Sequence, residues 1–369
     1  MNRKARVIAF YLPQFHPIPE NDEWWGKGFT EWTNVGRAKP LFKGHYQPRV
    51  PADLGYYDLR LPEIREQQAE MAYEAGVEGF CYWHYWFGNG KRLLERPFNE
   101  VLASGSPDFP FCLGWANISW TKRNWNGAYN REKTDLIKQE YPGDEDILLH
   151  FNTLLPAFKD HRYIKVEGKP LFLIYKPLLY PEVGHFMKIW NELSIKNGLP
   201  GMYFVGHDND WRNNSQWIMD QGFNAVNPEN LLRVQSVLRG SDFMMRLRNR
   251  IAREHPRFSP INKFNYKDVI AHWFTDEDKK DYVHPCVIPN WDRTPRSGKT
   301  TFLFTNSTPE LFKKHVENAL EIIQNKDYEH RILFLKSWNE WAEGNYMEPD
   351  LKFGRGYLNA LRDVIVDSE

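Results

Sequence analysis

Cysteine is scarce. The 369 residues contain three, Cys81, Cys112 and Cys286, each inside an apolar run and none spaced as a disulfide framework or a metal clasp. Net charge is missing too: 48 Lys and Arg balance 48 Asp and Glu, which argues against a nucleic-acid partner. No stretch approaches the roughly 20 apolar residues of a membrane span. Met1–Lys4 resembles the start of a signal peptide, but the apolar run behind it, Val7–Leu12, breaks at Pro13 and is too short for the apolar core of one. The reading is a soluble, cytoplasmic chain. There is no internal repeat and no linker, so residues 1–369 are expected to form a single domain. Cofactor signatures are absent as well. Ser297-Gly-Lys-Thr-Thr301 ends like a phosphate loop, but Arg293 stands where that loop needs its first glycine. Gly88-Asn-Gly90 is too short for a dinucleotide turn. His207, Asp208 and Asp210 lack the second histidine of a common metal motif, so neither cofactor nor metal is expected.

Aromatic residues, in contrast, are abundant: 15 Trp, 18 Tyr and 24 Phe. A core does not need so many indoles, and some are expected to line a surface that binds flat apolar faces. Eight short apolar runs alternate with helical patterns: Val7–Leu12, Gly79–Trp86, Phe111–Ala116, Leu171–Tyr175, Met202–Gly206, Asn224–Val226, Cys286–Pro289 and Ile332–Lys336. Continuous apolar runs of this length suit parallel strands buried on both faces. Between them, Leu61–Ala75 carries a proline in its first turn and stops before Gly76, and Asp144–Phe158, Pro181–Lys196 and Thr308–Asn325 read as helices too. The alternation predicts an α/β fold, a (β/α)₈ TIM barrel. A doubly wound open sheet is the rival, but no Gly-rich turn follows the first strand. Two long connections, 13–58 and 227–281, are expected to wall a cleft at the C-terminal face.

Barrel active sites are built from residues that follow the strands. Here nearly every strand end delivers an indole together with a hydrogen-bonding group. A sugar ring needs this combination, because its C–H face packs on an aromatic plane while its hydroxyls need donors and acceptors. The candidate substrate-binding residues are Tyr11, Gln14, His16, Glu31, Trp32, Trp83, His84, Tyr85, Trp115, Asn117, Trp120, Tyr175, His207, Trp291, Asp292, Trp338 and Asn339. Trp125 lies near the same rim. Glu340 and Glu343 carry the strongest chemical signal. Three residues apart on a helical turn, their carboxyls would share one face. Two close carboxyls repel, which raises the pKa of one and leaves an acid beside a base, the equipment for glycosidic cleavage.

Several longer motifs resemble a known family. Phe29-Thr-Glu-Trp-Thr-Asn-Val35, Gly44-His-Tyr-Gln-Pro48, Asp53-Leu-Gly-Tyr-Tyr-Asp58, Tyr82-Trp-His-Tyr-Trp-Phe87, Gly114-Trp-Ala-Asn117 and Ser337-Trp-Asn-Glu-Trp-Ala-Glu-Gly344 are similar to the WbsX-type proteins. These are described as lipopolysaccharide-biosynthesis glycosyltransferases with a glycoside hydrolase family 99-like domain. The resemblance implies a (β/α)₈ barrel and relates Glu340-Trp341-Ala342-Glu343 to the Glu-Trp-His-Glu signature of the family 99 endo-α-mannosidases. It implies that Glu340 is a base acting on the sugar 2-hydroxyl, with an anhydro-sugar intermediate, and that Glu343 is the general acid. Three positions depart from the pattern. Ala342 replaces the histidine, Ile118-Ser119 stands where Glu-Asn is frequent, and Asn126 replaces an aspartate.

The expected function is cleavage or transfer of an α-linked, mannoside-like glycan with retention, in lipopolysaccharide or surface-polysaccharide metabolism, with an oligosaccharide or polysaccharide as substrate. One alternative is a transferase using a phosphate-activated donor, with Arg293 and Arg296 on the phosphate. Another is a non-catalytic glycan-binding scaffold for polysaccharide assembly. Residues 243–253 alternate an apolar stripe (Phe243, Leu247, Ile251) with a basic one (Arg246, Arg250, Arg253), a pattern suited to peripheral membrane contact.

Overall fold

The structure is a computed structural model that describes residues 1–121, 135–210, 212, 214–239 and 261–367. Eight parallel strands form the barrel: β1 (Arg6–Tyr11), β2 (Val77–Trp86), β3 (Phe111–Trp115), β4 (Lys169–Ile174), β5 (Tyr203–Asp208), β6 (Ala225–Pro228), β7 (Cys286–Val287) and β8 (Ile332–Leu335). All eight predicted runs are strands, with ends shifted by a few residues. The pairing runs β6-β5-β4-β3-β2-β1-β8-β7. The remaining seam, between β6 and β7, is bridged just ahead of β7: Val226 N–H donates to Tyr282 O, and His284 N–H donates to Val226 O, both at 2.8 Å. The barrel is therefore nearly closed, and the open-sheet alternative falls.

The predicted helices form where capping chemistry places them. Pro62–Glu74 begins on its proline and is followed by Gly76 at φ +90°. Asp144–Lys159 opens with three acidic residues against its dipole. Pro309–Ile323 is capped by Thr308, whose Oγ1 accepts from Leu311 N–H at 3.3 Å. One helix starts later than expected, at Val183 rather than Pro181, because a 3₁₀ turn at Pro177–Leu179 occupies the approach. Glycine is required at position 79 of β2, where an added Cβ would meet Pro110 O at 2.3 Å.

Strand alternation decides which aromatics face the barrel lumen and which face the helices. Phe10 stacks between Trp83 and Phe334, with centroids 4.8 and 5.3 Å apart, closing the lumen beneath the C-terminal mouth. Their neighbours in sequence point outward: the Tyr11 hydroxyl donates to Gln68 on the helix Pro62–Glu74, and His84 meets His150 on Asp144–Lys159. At the opposite end of the barrel the two chain ends lie side by side. Lys4 N–H donates to Ile365 O, Asp367 N–H donates to Asn2 O, and Arg3 bridges Val366. No helix among the described residues is long and apolar enough to cross a membrane.

Candidate active site

The strand ends enclose a cavity of 330 Å³ at the C-terminal mouth, lined by Trp83, Tyr85, Trp120, Tyr175, Trp291, Glu340 and Glu343, among others. That volume lies in the range of about 300–1,000 Å³ usual for small-molecule sites.

Glu340 and Glu343 bracket the 3₁₀ turn Trp341–Glu343, set at the tip of a short ribbon in which Asn339 pairs with Tyr346 and Glu340 with Asn345. In a 3₁₀ turn residues i and i+3 nearly eclipse, so both carboxyls open on the same cavity. The turn is held from below: Trp341 stacks on Tyr346 at 3.8 Å, and its indole N–H donates to Glu348 at 2.6 Å. Gly344 ends the turn at φ +66°, and an added Cβ would lie 2.9 Å from the Asp292 backbone nitrogen.

Arg296 is the hub of the site. It is 5 % exposed and donates to three carboxylates: to Glu31 Oε2 through Nε and Nη2 (2.9 and 2.7 Å), to Glu340 Oε2 through Nη2 (2.9 Å) and to Glu343 Oε1 through Nη1 (2.6 Å). Arg293 Nε is 3.3 Å from Glu343 Oε1. Lys336 lies 3.1 Å from Glu229, which also accepts from His207 Nε2 at 3.0 Å. Arg293, Arg296 and Lys336, with His207, thus face four carboxylates. The carboxyl that burial raises is Glu340. Burial pushes it up to about 7, Glu343 and Glu31 add to the rise, and Arg296 and Lys336 oppose it. Burial also acts to raise Glu343, but Arg296, Arg293 and Lys336 outweigh it and hold this carboxyl below the usual range. Lys336 and His207 likewise hold buried Glu229 down at about 2. Glu340 is thus raised and Glu343 lowered, the opposite order to the base and acid that the family 99 signature implies.

The remaining candidates divide by side-chain direction. Trp83 is half-buried and forms the floor of the cavity, while Trp120 and Trp291 line it at 2 and 6 % exposure. Trp115 faces outward from β3, donates to Trp86 O and packs on Phe186, so it belongs to the barrel–helix core. Tyr11 and His84 are outward for the same reason. Trp338 is fully buried against Phe80. Asn339 is spent on the Leu12 backbone. Asn117 bonds Tyr141 and both backbone groups of Lys176, fixing the loop after β4. His207 faces the lumen but stacks beneath Tyr175 and bonds Asn227 and Glu229.

The long connection 13–58 does not wall the cavity as expected; it braces the site from behind. Glu31 holds Arg296, Trp32 packs on Trp341 and Tyr57, and His45 and Gln47 meet Asp292 Oδ2, both at 2.8 Å. Asp292 therefore points away from the cavity. Gln14 and His16 are buried in this layer, outside the cavity lining. From the second connection Glu229 reaches the cavity. Trp125, Asn126 and residues 243–253 lie outside the described residues. Of the other departures, Ile118 lines the cavity, so its wall lacks a carboxylate there, while Ala342 is buried in the core.

Sequence reasoning did not place Glu229 and Lys336 in the site. Both stand at strand ends, β6 and β8, where the same reading that found Tyr175 could have found them. Sequence reasoning places Arg296 only as a phosphate contact of the transferase alternative; it lies in the helical turn Thr294–Ser297 and binds carboxylates instead.

Buried titrating groups give the fold a pH signature. Burial also pushes Glu348 up to about 7. A glutamate of the unfolded chain titrates near 4.3, so the native state retains these two protons to higher pH, and their stabilisation is lost as pH rises through about 7. On the acid side, burial holds His16 down at about 4 and His315 at about 3, and lowers His84, His150 and His284 strongly. Unfolding lets these rings protonate below about pH 6.5. The carboxyl contribution is thus lost between about pH 4.3 and 7 and is flat above, while the histidine contribution is gained up to about pH 6.5. The thermal midpoint should therefore climb from acid and level off near neutrality. In Glu340→Gln the climb between about pH 4.3 and 7 should steepen; an unchanged slope would remove Glu340 as a contributor.

A family model described as glycosyltransferase WbsX matches residues 7–361. The chain belongs to the WbsX family. Two curated relatives are the uncharacterized WxcX proteins from two strains of Xanthomonas campestris pv. campestris, 38 and 37 % identical over 365 residues, 98 % of this chain and 50 % of theirs. The chain thus spans about half the length of these relatives. Among solved structures, a glycoside hydrolase-like protein superposes with TM-score 0.57 at 14 % identity over 100 % of this chain and 95 % of its own. A GH99 endo-alpha-mannosidase from Bacteroides thetaiotaomicron, solved with bis-tris-propane, superposes with TM-score 0.54 at 16 % identity over 97 and 95 %. At such identities the WbsX chain shares their fold.

Proposed function

We propose that the protein is a carbohydrate-active enzyme that cleaves or transfers an α-linked glycan with retention, with Glu340 as proton donor and Glu343 as the charged partner. The observation that carries this reading is the pair of carboxyls, Glu340 and Glu343, opening on one cavity walled by Trp83, Trp120 and Trp291; burial raises the first, and Arg296 and Arg293 lower the second. The indoles supply stacking planes for a pyranose, Tyr85 and Tyr175 supply hydroxyls, and Glu229 with Lys336 supplies an acceptor and a donor. Glu340 gives its proton to the departing glycosidic oxygen. Glu343 stays ionised beside Arg296 and Arg293 and acts at the anomeric carbon or on the neighbouring hydroxyl. Membership of the WbsX family and the GH99-like fold support a role in surface-polysaccharide assembly, with α-mannosides the first substrates to try. Location in the cytoplasm belongs to the same proposal.

The test is a panel of α-linked oligosaccharides and aryl glycosides with the purified protein. Turnover should give a first product whose anomeric configuration, read by NMR, matches the substrate. Glycan binding should also change tryptophan fluorescence, chiefly through Trp83. Binding without turnover across the panel would favour a scaffold for polysaccharide assembly, and inversion would overturn the retaining reading.

A further inference from the structure

A second cavity, of 570 Å³, lies on the other side of the segment 290–293. Trp291 and Arg293 face the glycan cavity, whereas Asn290 and Asp292 face this one. The wall between the two is a single stretch of chain. None of the reactions proposed above uses the second cavity, yet its lining sets Lys43, Arg49, Lys263 and Lys352 against the single carboxylate of Asp292.

Lys43, Lys263 and Lys352 stand exposed at its rim, and among the described residues no carboxylate is within ion-pair distance of any of them. Two of the ammonium groups lie over aromatic faces. Lys263 Nζ is 4.4 Å from the Phe42 centroid, and Lys352 Nζ is 4.8 Å from that of Tyr46, which keeps both over the opening. At the floor, Arg49 is 9 % exposed and poorly served. Among the described residues its Nε has no hydrogen-bond partner, Nη1 has a long contact to the Tyr346 hydroxyl at 3.4 Å, and Nη2 stands 3.8 Å from Asp292. A buried guanidinium left so weakly bonded is costly unless something else accepts from it. Asp292 is not that acceptor, since its oxygens are taken by His45, Gln47 and Thr294 at 2.7–3.1 Å. The 15-residue helix Pro309–Ile323 begins at the same wall, with Ser307 and Thr308 in the lining. Its first turn is already capped, so it contributes the positive end of its dipole rather than free donors.

We propose that this cavity is a binding site for a phosphate or diphosphate group, with Arg49 as the floor donor and Lys43, Lys263 and Lys352 closing over the anion. A guanidinium fork matches phosphate oxygens, and mobile ammonium groups complete their coordination. The position agrees with a general habit of barrels, in which the connection after the seventh strand and a nearby helix N-terminus hold phosphate. The anion could be free in solution or borne on an organic body. The aromatic rings beside the lysines leave room for either, and the site stands independently of the glycan reading because binding alone tests it.

Isothermal titration calorimetry on the full chain, with inorganic pyrophosphate, uridine diphosphate and glucuronate as separate probes, decides the matter. Pyrophosphate or uridine diphosphate should bind and glucuronate should not. The doubly substituted Lys263→Ala, Lys352→Ala variant, altered only at exposed positions, should weaken binding by roughly tenfold or more, and Arg49→Gln should abolish it. Lys188→Ala, on the helix Val183–Lys196, should leave it unchanged. Tighter binding of uridine diphosphate than of pyrophosphate would assign the cavity to a phosphorylated organic ligand, and equal binding would assign it to the free anion. No heat with either phosphate at about 10 mM, equal loss in Lys188→Ala, or glucuronate binding as well as pyrophosphate would overturn the proposal. None of these outcomes bears on turnover at Glu340 and Glu343.

Discussion

Glu340→Gln should lose activity on a glycan with a poor leaving group by on the order of 10²–10⁴-fold, yet retain most of it on an activated aryl glycoside. An aryl oxide departs without a proton, so an enzyme lacking only its acid is rescued by a better leaving group. Glu343→Gln should lose a comparable factor on both substrates, because its charge acts on the sugar whatever departs. The pH profile should follow: kcat/KM falls as Glu340 ionises above about 7 and again in acid as Glu343 takes a proton below the usual carboxylate range. If the aryl substrate rescues Glu343→Gln and not Glu340→Gln, the roles implied by the family 99 signature are correct. The electrostatics of the empty cavity would then have to reverse on binding.

The largest effect on stability is expected at Arg296. Replacing it with Met removes the one group that bridges Glu31, Glu340 and Glu343 and leaves fully buried Glu31 without its cation. Breaking a buried ion pair by removing one partner typically costs about 3–5 kcal/mol, which for a chain of this length corresponds to a drop in thermal midpoint of about 4–6 °C. Activity should fall with it, because Glu343 would lose the foremost of the three charges that hold it down. Arg296→Lys should recover part of the stability, since a point charge can serve one or two of the three carboxylates but cannot reproduce the fork. A Met variant as stable as the wild type would show that the three carboxyls share protons freely and that Arg296 is not their organiser.

Much of this architecture was legible from residue order. Continuous apolar runs announced all eight strands, since a strand buried on both faces can carry little else. Proline at the start and glycine after the end marked Pro62–Glu74. The carboxyl pair was legible because three-residue spacing carries a geometric meaning. What could not be read was facing. Trp83 and Trp115 look alike in their motifs, but alternation along β2 turns Trp83 into the lumen, while alternation along β3 turns Trp115 toward Phe186. Without the register of one strand against the next, the two indoles are equivalent. The same limit hid the work of the connection 13–58, whose residues act through other side chains: Glu31 through Arg296, and His45 and Gln47 through Asp292. Nor can a list of charges say which of four carboxyls will keep a proton. That follows only when Arg293, Arg296 and Lys336 are placed among them.

The chain ends lie together beneath the barrel, tied by Lys4 to Ile365 and by Asp367 to Asn2. A polypeptide joined at either side would leave from the same small area, at the pole opposite the cavity mouth. The barrel can thus be threaded into a longer protein as a plug is set into a socket, with both leads emerging at the base. Fusion to a reporter or immobilisation on a surface through either end should leave the entrance unobstructed for a long polymer to reach.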